Sequence, residues 1–463
     1  MQISKSIISK IIRVIISIIL FCLLNSLLCF MLIPPVGSSE KMWSLYREEE
    51  NLDMIYTGTS LCYAAIDNST IDSILGTKSF NMATASQELN NTYEAIETAI
   101  KDHKIKRAIL TFSYLNLIEY NNVQAETCFF KERIKWLPLP QKIKESIKFA
   151  FDKKHFSTPT SINFVFPWIF SHVKFRPGRI IENTKDKLHK NTEAYQNIYN
   201  TINVSADAYL DYNTVGNENS KTVYVGLKYN FGKFTGEVFE QLEDIINLCK
   251  KNNVDLMLIN PPKPIQDVLC YGDEYFELNK FVNEYAKTQG FDYYDFNIIK
   301  PEIFKNQDDY YSDFEHSNIK GQKAFSAALA KFIILRDQAK KNGSDLSSLF
   351  YTKDEYFDSI DRIACIYFDL QQTSDKKLSV QAHAYAGKNV NVLYQVLLKN
   401  LSESETQTQA DKNGFIILRD YSNQNDFTSS QLESGTYLIR VNARTDKSTN
   451  EYDRYYEQQI IIK

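Results

Sequence analysis

The stretch IYTGTSLCYAAID, residues Ile55–Asp67, decides the fold of this 463-residue chain. It begins inside a short apolar strand, Met54–Thr57, turns at Gly-Thr-Ser and continues into a helical pattern. This order puts Ser60 at the carboxyl end of a buried strand. Open parallel sheets gather their functional groups at that end, so Ser60 is the first candidate functional residue.

Strand and helix patterns alternate on either side of one long interruption. Further apolar strands are predicted at Arg107–Phe112, Asp255–Asn260 and Tyr293–Phe296, each followed or preceded by an amphipathic helix. Short connections between alternating elements predict an α/β fold, a parallel sheet with helices on both faces. From Ile363 onward, alternating strands separated by polar turns predict a β-sandwich of roughly 100 residues.

These patterns divide the chain into four parts. We expect a cytoplasmic stub and transmembrane signal-anchor in residues 1–36, an α/β domain in 37–340, a linker in 341–360 and a β-sandwich accessory domain in 361–463. An insertion at about 120–225, rich in Pro, Asn and aromatic residues, interrupts the α/β domain. We interpret it as a lid of helices and loops over one end of the sheet, with simple elaboration as the alternative.

The N-terminal segment determines the expected location. Val14–Ile33 contains 20 residues without a charge, which is long enough to span a bilayer as a helix. Lys5, Lys10 and Arg13 precede it and predict a cytoplasmic N-terminus, with the domains outside the cell. A cleaved signal peptide is the alternative, but its apolar core is usually shorter, about 7–15 residues, and ends in a small-residue cleavage site. We therefore expect a single-pass protein of the cell membrane.

Charge and cysteine usage exclude two function classes. A net charge of −4 gives no electrostatic basis for nucleic-acid binding. The five cysteines beyond the anchor are scattered and lack metal-ligand spacing, so we expect neither a zinc site nor a disulfide framework. Buried free thiols are expected instead, with a Cys249–Cys270 bridge as the alternative.

A second stretch, YSDFEHSNIKG, residues Tyr311–Gly321, supplies the groups that Ser60 would need. It lies after the last predicted strand and before the last helix, which is the same edge of the sheet. A carboxylate at Asp313 can hold the Nδ1–H of His316 and leave Nε2 facing the serine. A serine hydroxyl becomes a useful nucleophile only when such a base takes its proton. We predict a Ser60–His316–Asp313 triad.

At these motifs the chain resembles the SGNH/GDSL-type hydrolase superfamily, and within it the membrane-anchored acyl-transfer branch similar to DltD and to AlgJ and AlgX. IYTGTSLCYAAID resembles the first block and DDYYSDFEHSNIKGQKAF the last one. SFNMATASQELNNTYEAIETAI and LMLINPPKP resemble the blocks between them. The resemblance implies a flavodoxin-like three-layer sheet, a serine mechanism, and neither a cofactor nor a metal.

The chain departs from the family pattern at two places. Alanines stand in the second block where a glycine is common, and the third block with its asparagine is absent. We therefore expect backbone N–H groups near Ala85 and Ser86 to stabilise an oxyanion, with Gln87 lining the pocket. Asn116 is the nearest asparagine to the missing block, although an ordinary loop residue is the alternative there.

The resemblance implies an extracytoplasmic serine acyltransferase or esterase. Its substrates would be ester-linked acyl groups, D-alanyl or acetyl, of a cell-envelope glycan, an exopolysaccharide or a teichoic-acid-type acceptor. It also implies a membrane-bound O-acyltransferase as partner. A non-catalytic anchored glycan-binding or scaffold protein on a degenerate SGNH fold is the alternative, since small appended β-sandwiches often bind glycans.

Overall fold

The structure is a computed structural model that describes residues 5–33, 38–117, 122–151, 160–170, 172–189, 236–313, 315–401 and 413–463. Within these residues the predicted three-layer α/β fold is confirmed. A five-stranded parallel sheet has the order β2-β1-β3-β4-β5. Its strands are Met54–Thr57 (β1), Ser79–Asn81 (β2), Arg107–Thr111 (β3), Asp255–Asn260 (β4) and Asp292–Asp295 (β5).

This strand order is the flavodoxin-like one, in which the chain reverses direction across the sheet between β1 and β3. Ligand sites of such sheets lie in the crevice at that reversal, at the carboxyl ends of the strands. The central strands are buried on both faces, which explains why β1, β3 and β4 appear in the sequence as unbroken apolar runs.

Helices cover both faces of the sheet. Those before or between the strands are Ser38–Tyr46 (α2), Ser60–Ala65 (α3), Asn68–Leu75 (α4) and Leu89–Asp102 (α5). Later ones are Gly236–Lys251 (α11), Gln266–Tyr271 (α12), Asp273–Gln289 (α13), Ile319–Asn342 (α14) and Lys353–Ser359 (α15). One core cluster contains residues of α2, α5, α11 and α13, and the other contains residues of α3, α4 and α14.

The N-terminal helix α1, Lys5–Leu32, is long and apolar enough to be a candidate membrane span between Ile7 and Leu32. Most side chains of this span are exposed, whereas Leu32 at its end is buried. The described parts of the insertion are helical: Val123–Ile134 (α6), Leu139–Ala150 (α7), Thr160–Val165 (α8), Pro167–Phe170 (α9) and Pro177–Leu188 (α10). They form a small core of their own and pack on α1 and α2, while residues 190–235 lie outside the described residues.

The C-terminal part consists of two antiparallel sheets that share one core, in agreement with the predicted sandwich. One sheet has the order β10-β7-β6 and the other the order β12-β11-β8-β9. The strands are Ile363–Gln372 (β6), Leu378–Ala386 (β7), Val392–Asn400 (β8), Ile416–Ser422 (β9), Asp426–Thr428 (β10), Gly435–Thr445 (β11) and Arg454–Ile462 (β12).

All seven cysteines lie in the described residues, and each is a free thiol. The Cys249–Cys270 bridge that was left open in the sequence is therefore not formed. Cys249 is a buried residue of α11, whereas Cys270 of α12 lies beside Cys365 of β6. Cys249 packs among apolar core residues, where a free cysteine behaves as a small apolar side chain and needs no partner thiol.

Candidate active site

The turn after β1 is built around Gly58, whose φ of +137° is a conformation that side chains disfavour. A Cβ at this position would lie 2.1 Å from Thr111 Oγ1 on β3, so glycine is required for close approach of the two strands. Thr59 then caps α3 by accepting a hydrogen bond from the Leu61 amide at 3.4 Å. Ser60 is thereby fixed as the first residue of α3, at the carboxyl end of β1.

The loop before α14 is held in place by Asn318 and Gly321. The Asn318 side chain caps α14 by accepting from the Gly321 amide at 3.0 Å and donates to the Asp309 carbonyl at 2.8 Å. A Cβ on Gly321 would lie 2.1 Å from the Tyr310 carbonyl oxygen. An isolated bridge between Tyr311 and Ser317 closes the loop. These contacts fix the start of α14 and the Tyr311 and Ser317 ends of the loop that contains His316.

The structure brings Ser60, His316 and Asp313 together, although 256 residues separate the serine from the histidine. His316 Nε2 lies 2.9 Å from Ser60 Oγ. His316 Nδ1 lies 2.8 Å from Asp313 Oδ2 and 3.1 Å from Oδ1. Backbone amides of Glu315 and His316 donate to Asp313 Oδ1 at 2.8 and 2.7 Å, which fixes the carboxylate. Base and orienting carboxylate are thus within hydrogen-bond reach of the hydroxyl.

The electrostatics of the pair favour a charged carboxylate beside a basic imidazole. Burial by itself would lower the pKa of His316, but the hydrogen bond and charge of Asp313 outweigh burial and raise the pKa above its usual value. At Asp313, burial acts to raise the pKa, but the hydrogen bond to His316 outweighs burial and the pKa is lowered. Asp313 is therefore ionised at neutral pH and can stabilise the imidazolium that forms during proton transfer.

Of the three residues expected around the oxyanion, Ala85 and Gln87 are engaged in hydrogen bonds within the protein, and Ser86 lies in the turn between them. The Ala85 amide donates to Ser38 Oγ at 2.9 Å. Ser86 adopts a left-handed φ of +52°, which is uncommon for a residue other than glycine and marks a constrained turn. Gln87 is buried, and its Nε2 donates to Thr57 Oγ1 at 2.8 Å while its Oε1 accepts from the Thr84 amide. Gln87 thus ties the turn to β1.

Asn116 also serves its own loop. Its Oδ1 accepts from the Ser113 amide at 2.8 Å and from Ser113 Oγ at 3.1 Å in the short turn after β3. The Ser60 amide is the first N–H of α3, where a helix has no internal acceptor to offer. It is therefore a backbone donor available beside Ser60 Oγ for developing negative charge.

A buried cation near the site was not foreseen from the sequence. Lys263 follows β4 at the same edge of the sheet, is 5% exposed, and has its Nζ 3.7 Å from Asp267 Oδ2. The positive charge of Lys263 acts to lower the pKa of His316. Burial raises the pKa of Asp267, the partner of Lys263. The signal available in the sequence was a lysine within the apolar turn NPPKPI, because buried lysines are rare unless paired.

Among the described residues no group of three or more His, Cys, Asp or Glu side chains is arranged to hold a metal ion.

No protein-family model matches the chain, and no curated protein matches it significantly. Solved structures do match. A provisionally named acylhydrolase from Bacteroides fragilis shares 9% identity over 63% of this chain and 94% of its own, with a TM-score of 0.29.

Two further solved structures are similar in the same way. A GDSL-like lipase from Bacteroides thetaiotaomicron shares 8% identity, with 64% of this chain and 99% of its own covered and a TM-score of 0.29. A provisionally named lipolytic protein of the G-D-S-L family from Desulfitobacterium hafniense shares 10% identity over 61% and 99%, with a TM-score of 0.27. Identities and TM-scores this low say nothing about activity, so the chemistry of the site rests on its own geometry.

Proposed function

We propose that the chain is a membrane-anchored extracytoplasmic serine acyltransferase or esterase, with Ser60 as nucleophile, His316 as general base and Asp313 as its orienting carboxylate. The observation that carries this proposal is the 2.9 Å contact between Ser60 Oγ and His316 Nε2, backed by the Asp313 contacts on the far side of the ring. Nucleophile, base and orienting group in one hydrogen-bonded line is the arrangement that acyl transfer by serine requires.

The proposed reaction has two halves. His316 Nε2 takes the Ser60 proton while Oγ forms a bond to the acyl carbon of an ester, and the same nitrogen then protonates the departing alkoxide. This leaves an acyl ester on Ser60. A hydroxyl of the acceptor, or water, attacks that ester, gives its proton to His316 and releases the free Ser60 hydroxyl. Negative charge on the tetrahedral oxygen would be stabilised by the Ser60 amide at the start of α3.

The short tether between anchor and site supports a substrate at the membrane surface. Ile33 closes the apolar segment, and Ser38, five residues later, accepts a hydrogen bond from the Ala85 amide. The turn that contains Ala85 is joined to the Ser60 turn, because the Thr84 amide donates to the Gly58 carbonyl at 3.3 Å. Five residues reach at most about 18 Å, so the catalytic edge would stay close to the bilayer.

This position suits an acyl acceptor in the cell envelope, an exopolysaccharide or a teichoic-acid-type polymer, carrying D-alanyl or acetyl esters. It also suits acyl delivery by a membrane-bound O-acyltransferase partner. The signal-anchor would leave the N-terminus in the cytoplasm and both folded parts outside.

The first test is labelling of the full chain in detergent micelles with a fluorophosphonate probe, followed by peptide mass spectrometry. An activated serine should be modified at Ser60, and His316→Asn should abolish labelling. Ser73→Ala, at an exposed serine of α4, is the matched control and should label normally. Equal labelling of wild type and His316→Asn would contradict the proposed mechanism.

The second test identifies the acyl group. Cell envelopes from strains with equal amounts of wild-type or Ser60→Ala protein are treated with mild alkali, and the released acids are quantified. Loss of D-alanine or of acetate in Ser60→Ala would support catalysis and name the group. Unchanged release, together with absent probe labelling, would favour the glycan-binding scaffold alternative.

A further inference from the structure

The apolar helix α1 contains an amide side chain, that of Asn25, which is unfavourable in hydrocarbon without a hydrogen-bonding partner. Asn25 lies inside the uncharged segment Val14–Ile33. Its Nδ2 donates to the Val165 carbonyl at 2.8 Å, and its Oδ1 accepts from Trp168 Nε1–H at 2.9 Å. A polar group within a bilayer is costly unless it is hydrogen-bonded, and such residues usually face another part of the protein. The partner of Asn25 is the segment formed by α8 and α9, residues 160–170.

The depth of this contact follows from the charges that flank the anchor. With Arg13 at the cytoplasmic boundary and Ile33 at the opposite one, Asn25 lies eight residues inside, about 12 Å at 1.5 Å per residue. Phe21, whose ring is 5.8 Å from that of Phe166, lies about 18 Å inside. Both values are comparable to half of a hydrocarbon core of about 30 Å. The α8–α9 segment is therefore level with the outer leaflet.

The composition of the α8–α9 segment suits that environment. Residues 160–170, TSINFVFPWIF, contain no charged side chain. Ile162, Val165 and Ile169 are 52%, 39% and 43% exposed. Apolar side chains exposed together on a short element indicate contact with something other than water. The neighbouring α1 side chains are similarly apolar and exposed, so one lipid environment would cover both.

Polar and cationic groups stand where the outer interface would lie. Asn183 of α10 donates to the carbonyls of Met31 at 2.8 Å and Ile33 at 2.9 Å. Lys187 Nζ donates to the Phe30 carbonyl at 2.8 Å and also to that of Ile33. These contacts satisfy the last carbonyls of α1 and put a cation at its end, as expected at a membrane boundary.

The helix α7 adds an amphipathic surface beside the α8–α9 segment. It joins α8 through the ring contact between Phe149 and Phe164 at 5.2 Å. Leu139, Ile143 and Ile147 recur every fourth residue and are all more than half exposed. Lys142, Lys144 and Lys148 accompany them on the same helix. An exposed apolar stripe with lysines is typical of helices that lie in the headgroup region of anionic membranes.

From these contacts we propose that the α8–α9 segment lies within the outer leaflet against α1, held by Asn25, with α7 and α10 at the membrane surface. This inference rests on the membrane anchor of the proposed function. The occupant of the exposed apolar face is lipid rather than a second protein, because the segment contacts α1 inside the apolar span and presents no charge for a polar partner to recognise. The insertion would thus fix how the catalytic edge faces the bilayer.

The test uses the full chain in nanodiscs of phosphatidylcholine and phosphatidylglycerol without any other protein. A fluorescent amino acid replaces one residue at a time at Ile162, Ile169, Ile16 of α1, or Ile417, which is 54% exposed on β9. Quenching by brominated acyl chains reports lipid contact, and quenching by iodide reports water. We expect Ile162 and Ile169 to follow Ile16, with iodide quenching reduced several-fold relative to Ile417.

The outcomes separate this inference from the proposed function. Iodide quenching at Ile169 equal to that at Ile417, with Ile16 still in lipid, would overturn the inference and leave the anchor of the proposed function in place. A water-exposed Ile16 would overturn the anchor itself. Probe labelling of Ser60 is measured separately and tests the catalytic part.

Asn25→Leu tests the contact that holds the segment. It removes both hydrogen bonds while leaving α1 more apolar, so iodide quenching at Ile169 should rise and quenching at Ile16 should stay low. Ser26→Leu, which removes a neighbouring polar group exposed on α1, is the matched control and should change neither. No rise at Ile169 in Asn25→Leu would overturn the role given to Asn25.

Discussion

His316 is subject to two opposing influences, burial and the Asp313 carboxylate, and the carboxylate outweighs burial. Because the proposed reaction needs neutral His316, protonation inactivates the site as pH falls. A pKa raised above the usual value of about 6.5 moves the acid limb of the rate profile to higher pH. The rate of acyl transfer should therefore fall already between neutral and mildly acidic pH.

Asp313→Asn should shift that acid limb to lower pH and reduce kcat by about 10²–10⁴-fold, since the imidazolium loses its partner and the ring its orientation. The measurement is the pH dependence of kcat/KM for a chromogenic acyl ester. Asp309→Asn is the control: it removes a carboxylate of the same loop that pairs with Lys320 instead of His316. An acid limb unchanged by Asp313→Asn would contradict the proposed coupling.

At this scale the sequence supported a prediction of the three residues of the proposed triad but not of the oxyanion donors. Ser60 and His316 lie in short motifs at the ends of strands and helices that the sequence predicts. The topology of a parallel sheet therefore placed both residues at the same edge. The direction of a backbone amide or of the Gln87 side chain depends instead on the turn that contains it. Gln87 points to Thr57 and the Ala85 amide to Ser38, contacts across 30 and 47 residues that no local pattern encodes.

At the scale of elements, the starts of three strands are joined by a charged cluster at the edge of the sheet opposite the site. Arg336 of α14 is 1% exposed and binds both oxygens of Asp255 at 2.6 and 2.7 Å. Its Nε donates to Asp292 at 2.8 Å, and Arg107 also contacts Asp255. The cluster fixes α14, and with it the loop of His316, against β4 and β5.

Asp255→Asn should lower the free energy of unfolding by about 3 kcal/mol at neutral pH, because it leaves the buried Arg336 without its main counter-charge. Burial acts to raise the pKa of Asp255, but hydrogen bonds from Arg336 outweigh it and lower the pKa. The stabilisation is therefore present above the pKa of the unfolded chain and is lost as pH falls toward the folded value.

Thermal unfolding of the full chain in detergent at several pH values measures this effect. The difference in Tm between wild type and Asp255→Asn should be largest near neutral pH and should shrink in strong acid. Asp345→Asn, at an exposed loop carboxylate bound to Ser347, should leave Tm unchanged. A difference that grows as pH falls would contradict the assignment.

Strands with a continuous apolar run were predicted well, whereas a strand with small inward side chains and an ion pair between distant residues were missed. β4 has the expected bounds, Asp255–Asn260, because both faces are apolar. β7 was not foreseen, since the inward side chains of Leu378–Ala386 are mostly small and polar residues alternate with them. Asp255 and Arg336 are 81 residues apart, so their ion pair could only be seen in the structure.

At the scale of the whole molecule, the C-terminal sheets contact the loop that bears the proposed base. Asp308 lies five residues before Asp313. Its Oδ1 accepts from Arg362 at 2.7 Å, just before β6, and its Oδ2 accepts from Arg454 of β12 at 2.8 Å. Arg454 also donates to the Ala364 carbonyl at 2.9 Å. The sandwich therefore supports the position of the loop that bears the proposed base.

Asp308→Asn should lower kcat about tenfold or more with little change in KM, because small displacements of a catalytic group cost rate more than binding. Steady-state kinetics with a chromogenic ester measure the split. Asp369→Asn, which removes a carboxylate that pairs with His383 on the same C-terminal part, should leave both parameters unchanged. An equal loss in both variants would indicate general destabilisation rather than positioning.

A second link between the two parts lies at Cys270 of α12 and Cys365 of β6. The pKa of Cys365 is raised well above its usual value, first by a hydrogen bond with the Cys270 thiol and then by burial. If this part of the chain lies outside the cytoplasm, as the proposed function requires, two neighbouring thiols meet the conditions under which disulfides form and persist. We expect an intact Cys270–Cys365 disulfide in protein isolated from the cell surface, formed while the chain folds.

Non-reducing peptide mapping by mass spectrometry checks the disulfide directly. In protein so linked, a reductant should lower Tm, by an amount that corresponds to about 2–4 kcal/mol, and Cys365→Ser should lower it equally and abolish the reductant effect. Cys249→Ser, at a buried thiol of α11, is the matched control and should leave the reductant effect in place. Recovery of Cys270 and Cys365 as free thiols from surface protein, alkylated before lysis, would show that the two parts are joined by the Asp308 ion pairs and packing alone.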